Sequence, residues 1–214
     1  MKKYKNIIWD WNGTLFDDIE LCKNIINNVL KKRNMPILTT ESYREIFTIP
    51  VEEYYKKAGF DFSKEPFEKV GKEWMEEYEQ RKYEADLSHG AFEIVVALHA
   101  QGISQSILSA YKQNTLNEIT AKFGLTQYMS NIVGLDHIYA TGKVDLGKEL
   151  MLKLEGGKND SLLIGDTLHD CEVAKEIGAD SVLISSGHQS KERLQQCGVK
   201  VFDNFDVLKE YLLN

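Results

Sequence analysis

Residues 7–18 read IIWDWNGTLFDD. The run Ile7, Ile8 and Trp9 has the continuous apolar character of a strand buried on both faces. Asp10 then stands at the strand's carboxyl end, and Gly13 and Thr14 suit a tight turn. Open α/β sheets bind ligands in the crevice beyond the carboxyl ends of their strands. A carboxylate placed there predicts a functional site.

Working outward, residues 5–9 form a first strand, and the chain after the turn becomes helical. Residues 20–32 place Leu21, Ile25, Ile26, Val29 and Leu30 on one face. The segment to about residue 85 is rich in Glu, Lys and Tyr and holds all three prolines, Pro36, Pro50 and Pro66. Helical pieces are expected at 40–47, 51–58 and 65–82, the last with Phe67, Val70, Trp74, Tyr78 and Arg81 at helical spacing. No strand is expected in this segment. From Gly90 helices alternate with short apolar runs. Helices are expected at 91–101, 115–123, 146–154 and 171–177, the last stopped by Gly178, and strands at 104–108, 131–133, 161–165 and 181–185. That alternation predicts an α/β fold with a Rossmann-like, doubly wound parallel sheet. Its core is residues 1–15 and 86–214, interrupted by an all-α insertion at 16–85.

At 214 residues the chain suffices for such a core and a small insertion. A net charge of −7 argues against a broad nucleic-acid face. No apolar run approaches the ~18 residues of a membrane span. The basic start MKKYKNIIWDWNG lacks the apolar stretch of a secretory signal. Cys22, Cys171 and Cys197 are scattered and lack metal-ligand spacing, and they are expected to be reduced thiols of a cytoplasmic protein.

Four pieces fall at the ends of expected strands. They are Asp10; Ser109, in ILSAY; Lys143, in YATGKVD; and Asp166 with Asp170, in IGDTLHD. Together they resemble the four motifs of the haloacid dehalogenase-like (HAD) superfamily, in order and across almost the whole chain. The stretch GDTLHDCEVAKEIGADSVLISSG adds to the likeness. The resemblance implies a phosphoglycolate phosphatase-like hydrolase in which residues 16–85 are a mobile helical cap. It implies Asp10 as a nucleophile that forms an aspartyl-phosphate. Gly13, Thr14, Ser109 and Ala110 would cradle the phosphoryl oxygens, and the Lys143 ammonium would pair with nucleophile and phosphoryl group alike. Mg²⁺ would be held by the hard oxygens of Asp10, Asp166 and Asp170 and the backbone carbonyl of Asn12. The implied substrate is a small phosphorylated metabolite, because a closing cap leaves no room for a macromolecule. The segment FTIPVEEYY at 47–55 falls where relatives carry a cap loop touching the leaving group, and reads equally as a helix start after Pro50.

Asn12 departs from the family pattern. The family's phosphatases have a second Asp there, which protonates the leaving oxygen and then activates the hydrolytic water. An amide does neither, although it donates and accepts hydrogen bonds. General acid–base catalysis is worth about 10²–10⁴-fold. Three readings follow. The protein is a phosphatase whose leaving groups need little protonation, or one in which Asp17, Asp18 or His169 takes the role. Alternatively it is a dehalogenase-type hydrolase, against which Thr14 and the Asp166–Asp170 pair speak. In the third reading it is a weakly catalytic phosphate-binding or regulatory protein. Val144 stands where relatives often have a proline. His99 and His137 are expected on the surface, and His169 and His188 near the site but structural. Trp9 is expected in the sheet core, Trp11 over the leaving group, and Tyr54, Tyr55 and Trp74 in the core of the insertion.

Overall fold

A computed structural model describes residues 4–140, 142–156 and 160–213. The chain begins with β1 (Asn6–Trp9) and β2 (Phe16–Asp17), followed by α1 (Ile19–Lys31), α2 (Thr40–Ile46), α3 (Val51–Lys57) and α4 (Phe67–Arg81). Next come β3 (Asp86–Leu87), α5 (Ala91–Ala100), β4 (Ser104–Lys112), α6 (Gln113–Lys122) and β5 (Asn131–Leu135). The last part holds α7 (Val144–Met151), β6 (Ser161–Gly165), α8 (Leu168–Ile177), β7 (Asp180–Ile184), α9 (Lys191–Leu194), β8 (Val201–Phe202) and α10 (Phe205–Leu213).

Six strands pair in the order β5-β4-β1-β6-β7-β8, every pairing parallel. The strand order reverses at β1, whose Trp9 lies between Ile107 and Ile164. The crevice beyond Trp9 is therefore the place where an α/β sheet binds its ligand. The period of two along a strand divides the apolar residues between two cores. Ile7, Trp9, Ile107, Leu162 and Ile164 belong to one, and Ile8, Leu108 and Leu163 pack with Val173, Ala174 and Ile177 of α8 in the other. Burial of each such side chain contributes about 1.5–3 kcal/mol. Trp9 also donates from Nε1 to Gln105 Oε1 at 3.0 Å, and Gln105 donates onward to the Val95 carbonyl at 2.9 Å.

The four helices between β2 and β3 are joined by polar clamps. Arg33 binds Glu65 at 2.7 Å and Glu73 at 2.8 Å, tying the end of α1 to α4 and to the loop before it. Further bonds hold them over the carboxyl edge of the sheet. Arg193 donates to the Arg44 and Phe47 carbonyls, both at 2.7 Å, Gln189 to the Phe47 carbonyl at 2.9 Å, and Tyr111 to Glu79 at 2.7 Å. Among the described residues no helix is long and apolar enough to cross a membrane.

Three differences from the sequence expectation have physical causes. The insertion is bounded by a two-stranded antiparallel ribbon, β2 with β3, too short to show any periodicity. Beyond residue 185 lie α9, β8 and α10; in α10 the spacing of Phe205, Leu208 and Leu212 carries a helical signal that residues 201–202 do not. Cys171 and Cys197 are joined in a disulfide, leaving Cys22 as the free thiol. Their sequence separation of 26 gives no hint of that proximity.

Candidate active site

Each turn that leaves the carboxyl edge of the central strands delivers one functional group. Asp10 continues β1, its N–H bonded to the Ile164 carbonyl at 2.8 Å. Gly13 makes the next turn with φ of +75°, and a Cβ there would meet Asp166 Oδ2 at 2.3 Å. Only glycine combines that backbone with that approach. Thr14 Oγ1 then lies 3.2 Å from Asp10 Oδ2 and 3.0 Å from Asp166 Oδ1, bridging the two carboxylates. Ser109 is not beyond its strand as expected: β4 runs on to Lys112 through a register shift after Leu108, and buried Ser109 accepts the Tyr111 N–H at 3.0 Å.

Lys143, the residue before α7, is the buried cation of the site. Its Nζ binds Asp10, Asp170 Oδ1 at 2.7 Å and the Leu108 carbonyl at 3.0 Å. Asp170 uses its two oxygens separately. Its Oδ2 caps α8, accepting the N–H groups of Asp166 at 3.2 Å and Thr167 at 3.0 Å, while Oδ1 faces Lys143. Asp10, Asp166 and Asp170 each offer an oxygen within 4.8 Å of the others.

Three buried carboxylates against one lysine leave excess negative charge, and the protonation equilibria record it. Burial lifts Asp10 to about 6 despite the Lys143 ammonium, with Asp170 adding to the rise. Burial lifts Asp166 to about 8, although the charge of His188 works against it. Asp170 is buried too, but its pairing with Lys143 prevails and its pKa is lowered. Removing the cation is therefore costly. Lys143→Met is expected to destabilise the fold by about 3–5 kcal/mol, because it leaves buried Asp10 and Asp170 without their cation. Urea unfolding measures it; a loss below about 1 kcal/mol would show that the carboxylates do not depend on Lys143.

The unexpected centre of the site is Asp18. Its carboxylate accepts Asn12 Nδ2 at 2.8 Å, Tyr78 Oη at 2.6 Å and the Gly13 N–H at 3.1 Å, and His188 Nε2 lies 3.3 Å away. Burial alone would raise its pKa, but His188, Tyr78 and Asn12 outweigh burial and lower it. His188 is raised in turn: burial opposes its charge, and Asp18 more than compensates. Its Nδ1 bonds Tyr43 Oη at 2.8 Å, its ring stacks on Phe47 at 4.6 Å, and its N–H binds Asp166 Oδ2 at 2.6 Å. His188, expected to be structural, thus ties the Asp18 hub to Asp166. Of the stand-ins considered for an acid at position 12, Asp17 is exposed, His169 lies against Gly142 and Glu172, and only Asp18 reaches Asn12.

Above these groups a cavity of about 120 Å³ opens beneath α2, α3 and α4. Asp10, Asn12, Ser109, Ala110, Asp166 and Asp170 line its floor. Tyr54, Tyr55 and Trp74, expected in the core of the insertion, line it as well. Phe47, Ile49 and Val51 line it, and α3 starts at Val51, directly after Pro50. Trp11 corrects the expectation that it covers the leaving group: it is fully buried and stacked on Phe16 at 5.3 Å. Tyr43, Tyr78 and Tyr111 were not read as site residues, because nothing local in their sequence marks them.

The model of the haloacid dehalogenase-like hydrolases matches residues 7–184, from β1 through β7. The chain belongs to the haloacid dehalogenase-like hydrolases. It is also 22% identical over 211 residues to the tyrosine-protein kinase PtkA of Mycobacterium tuberculosis, covering 96% of this chain and 72% of that protein. Among solved structures, a HAD-like family hydrolase from Streptococcus pneumoniae superposes with a TM-score of 0.85 at 18% identity, covering 99% of both chains. A predicted phosphatase from Clostridium acetobutylicum superposes with a TM-score of 0.81 at 20% identity, again over 99% of each chain. These structures share the HAD fold, insertion included.

Proposed function

We propose that this HAD-like protein is a Mg²⁺-dependent phosphatase of small phosphorylated metabolites, of the phosphoglycolate phosphatase-like kind, working through an aspartyl-phosphate on Asp10. The observation that carries this reading is the convergence of Asp10, Asp166 and Asp170 at the floor of one cavity, with Lys143 paired to Asp10 and Asp170. Asp10 would attack phosphorus in line with the leaving oxygen. Lys143 would hold the nucleophile and neutralise a phosphoryl oxygen, and the Ser109 hydroxyl with the Ala110 N–H would cradle another. Residues 16–85 would act as the cap that excludes water. The cytoplasm, where phosphorylated metabolites are found, is the compartment this reading implies.

The donor set fits a hard divalent cation: three carboxylate oxygens lie together with excess negative charge, and the Asn12 carbonyl lies in the same turn. Bound Mg²⁺ would supply positive charge to the phosphoryl oxygens in the transition state. Its binding has a pH signature. Asp10 and Asp166 hold protons more tightly when folded than when unfolded, where Asp titrates near about 3.9. The metal-free fold therefore loses stability as pH climbs from about 4 through the folded values of about 6 and about 8. Mg²⁺ needs the ionised carboxylates, so its stabilisation grows over the same window. With Mg²⁺ at ~100 times its Kd at pH ~8, about 2.7 kcal/mol is expected. The rise in Tm is expected to be smaller near pH ~5.5; equal rises would place the ion elsewhere.

The test of function is Mg²⁺-dependent phosphate release across about a hundred phosphorylated metabolites, with chelator as control. Release from one group of substrates, abolished by chelator, supports the reading. The amide at position 12 supports a second one, a phosphate-binding protein with little turnover, which predicts Mg²⁺-dependent binding without release.

A further inference from the structure

We infer that the cavity over Asp10 is the pocket for an uncharged aromatic leaving group, so that the substrates are small aryl phosphate monoesters. The inference rests on the phosphatase reading and names its substrate class. Two independent observations carry it.

The first is the lining. Above the carboxylate floor the walls are Phe47, Tyr54, Phe67, Trp74, Met75 and Tyr139. The rings are interlocked: Phe47 and Tyr54 have centroids 5.3 Å apart, and Phe67 and Tyr139 6.2 Å apart. Among the described lining residues none is Lys or Arg. The one basic group, His188, lies 3.3 Å from Asp18 and is already paired. A leaving group with its own carboxylate or second phosphate would be buried there without a cation of its own, which disfavours it strongly. An aromatic ring gains apolar burial and edge-to-face contacts instead. Tyr54 Oη, buried and without a hydrogen-bond partner among the described residues, offers a neutral group to a ring substituent.

The second observation is Asn12. Its amide nitrogen is committed to Asp18 and Tyr78, so it brings no proton to a departing oxygen. A phenol has a pKa near that of tyrosine, about 10, and leaves as phenolate unaided. An aliphatic alcohol, with a pKa nearer that of water at about 15.7, does not. In the step, Asp10 Oδ forms a bond to phosphorus and the P–O(aryl) bond breaks. The electron pair leaves on the phenolate, which is protonated by solvent. Water then cleaves the acyl phosphate, returning the Asp10 carboxylate, inorganic phosphate and a proton. The pocket's chemistry and the missing acid select the same leaving group.

Steady-state kinetics with Mg²⁺ on phenyl phosphate, benzyl phosphate and 2-phosphoglycolate tests this. The kcat/KM for phenyl phosphate is expected to exceed that for phosphoglycolate at least ~10-fold. Benzyl phosphate, which keeps the ring but leaves as an alkoxide, is expected to match phenyl phosphate in KM with kcat lower by about 10²–10⁴-fold. Trp74→Ala is expected to lower the ratio of phenyl to acetyl phosphate turnover at least ~10-fold. Equal or faster turnover of phosphoglycolate would overturn the aryl assignment and leave the phosphatase standing. If no ester is hydrolysed, calorimetry on the full-length Asp10→Asn variant decides. Phenyl phosphate binding at least ~10-fold tighter than phosphoglycolate keeps the pocket assignment without the phosphatase; equal binding removes both.

Discussion

Asp10→Asn is expected to abolish Mg²⁺-dependent phosphate release, by on the order of 10⁵-fold, the scale of removing a covalent nucleophile. The geometry makes this a clean experiment. Asp10 is buried at the end of β1, its backbone N–H bound to Ile164 and its side chain to Lys143 and Thr14. An amide of the same shape keeps the Lys143 contact through its carbonyl oxygen and donates to Thr14 Oγ1, whose own hydrogen goes to Asp166. It also removes a carboxylate whose ionisation burial already opposes. The fold should therefore survive, and the thermal transition of the variant checks that it does. Residual release within tenfold of the parent protein would mean that the phosphoryl group never resides on Asp10, and the proposed mechanism would fail.

Asn12→Asp has the second largest expected effect, and its sign depends on the substrate. The new carboxylate would stand where Asn12 Nδ2 is now 2.8 Å from Asp18 Oδ2. Two carboxylates so close cannot both ionise, so one takes up a proton. That proton is what an alkoxide leaving group lacks. Turnover of benzyl phosphate is expected to rise by about 10²–10⁴-fold, and that of phenyl phosphate far less. The exchange also costs stability, about 1–3 kcal/mol, because one carboxyl proton replaces the two amide hydrogens given to Asp18 and Tyr78. Adding Asp18→Asn, which reverses the polarity of that hydrogen bond, should recover part of the loss in a double-mutant cycle. An unchanged ratio of benzyl to phenyl turnover in Asn12→Asp would show that the amide does not limit the chemistry.

Much of this was legible in one dimension. The apolar runs IIW, SLLI and VLI announce a parallel sheet because strands buried on both faces have no polar alternation. Asp10 and Asp166 stand out because each follows such a run, where the sheet's own geometry gathers its loops, and Ser109, Lys143 and Asp170 are marked by the likeness to the family motifs. Asp170, expected at the site, also caps α8 with its second oxygen. The ribbon of β2 and β3 escaped notice, since two-residue strands have no period to detect.

The sequence by itself determined the sheet, the place of Asp10 at the end of its first strand and the absence of an acid at position 12. These follow from local order: a strand, a turn and a carboxylate adjoining in the chain. The tertiary structure decided what surrounds that carboxylate. Asp18, Tyr43, Tyr78 and His188 are up to 170 residues apart in the chain yet share one hydrogen-bonded cluster. The aromatic walls come from α2, α3, α4, the loop after α2 and the loop before α7. A pocket's polarity is a sum over side chains brought together by packing, and no stretch of chain carries it alone.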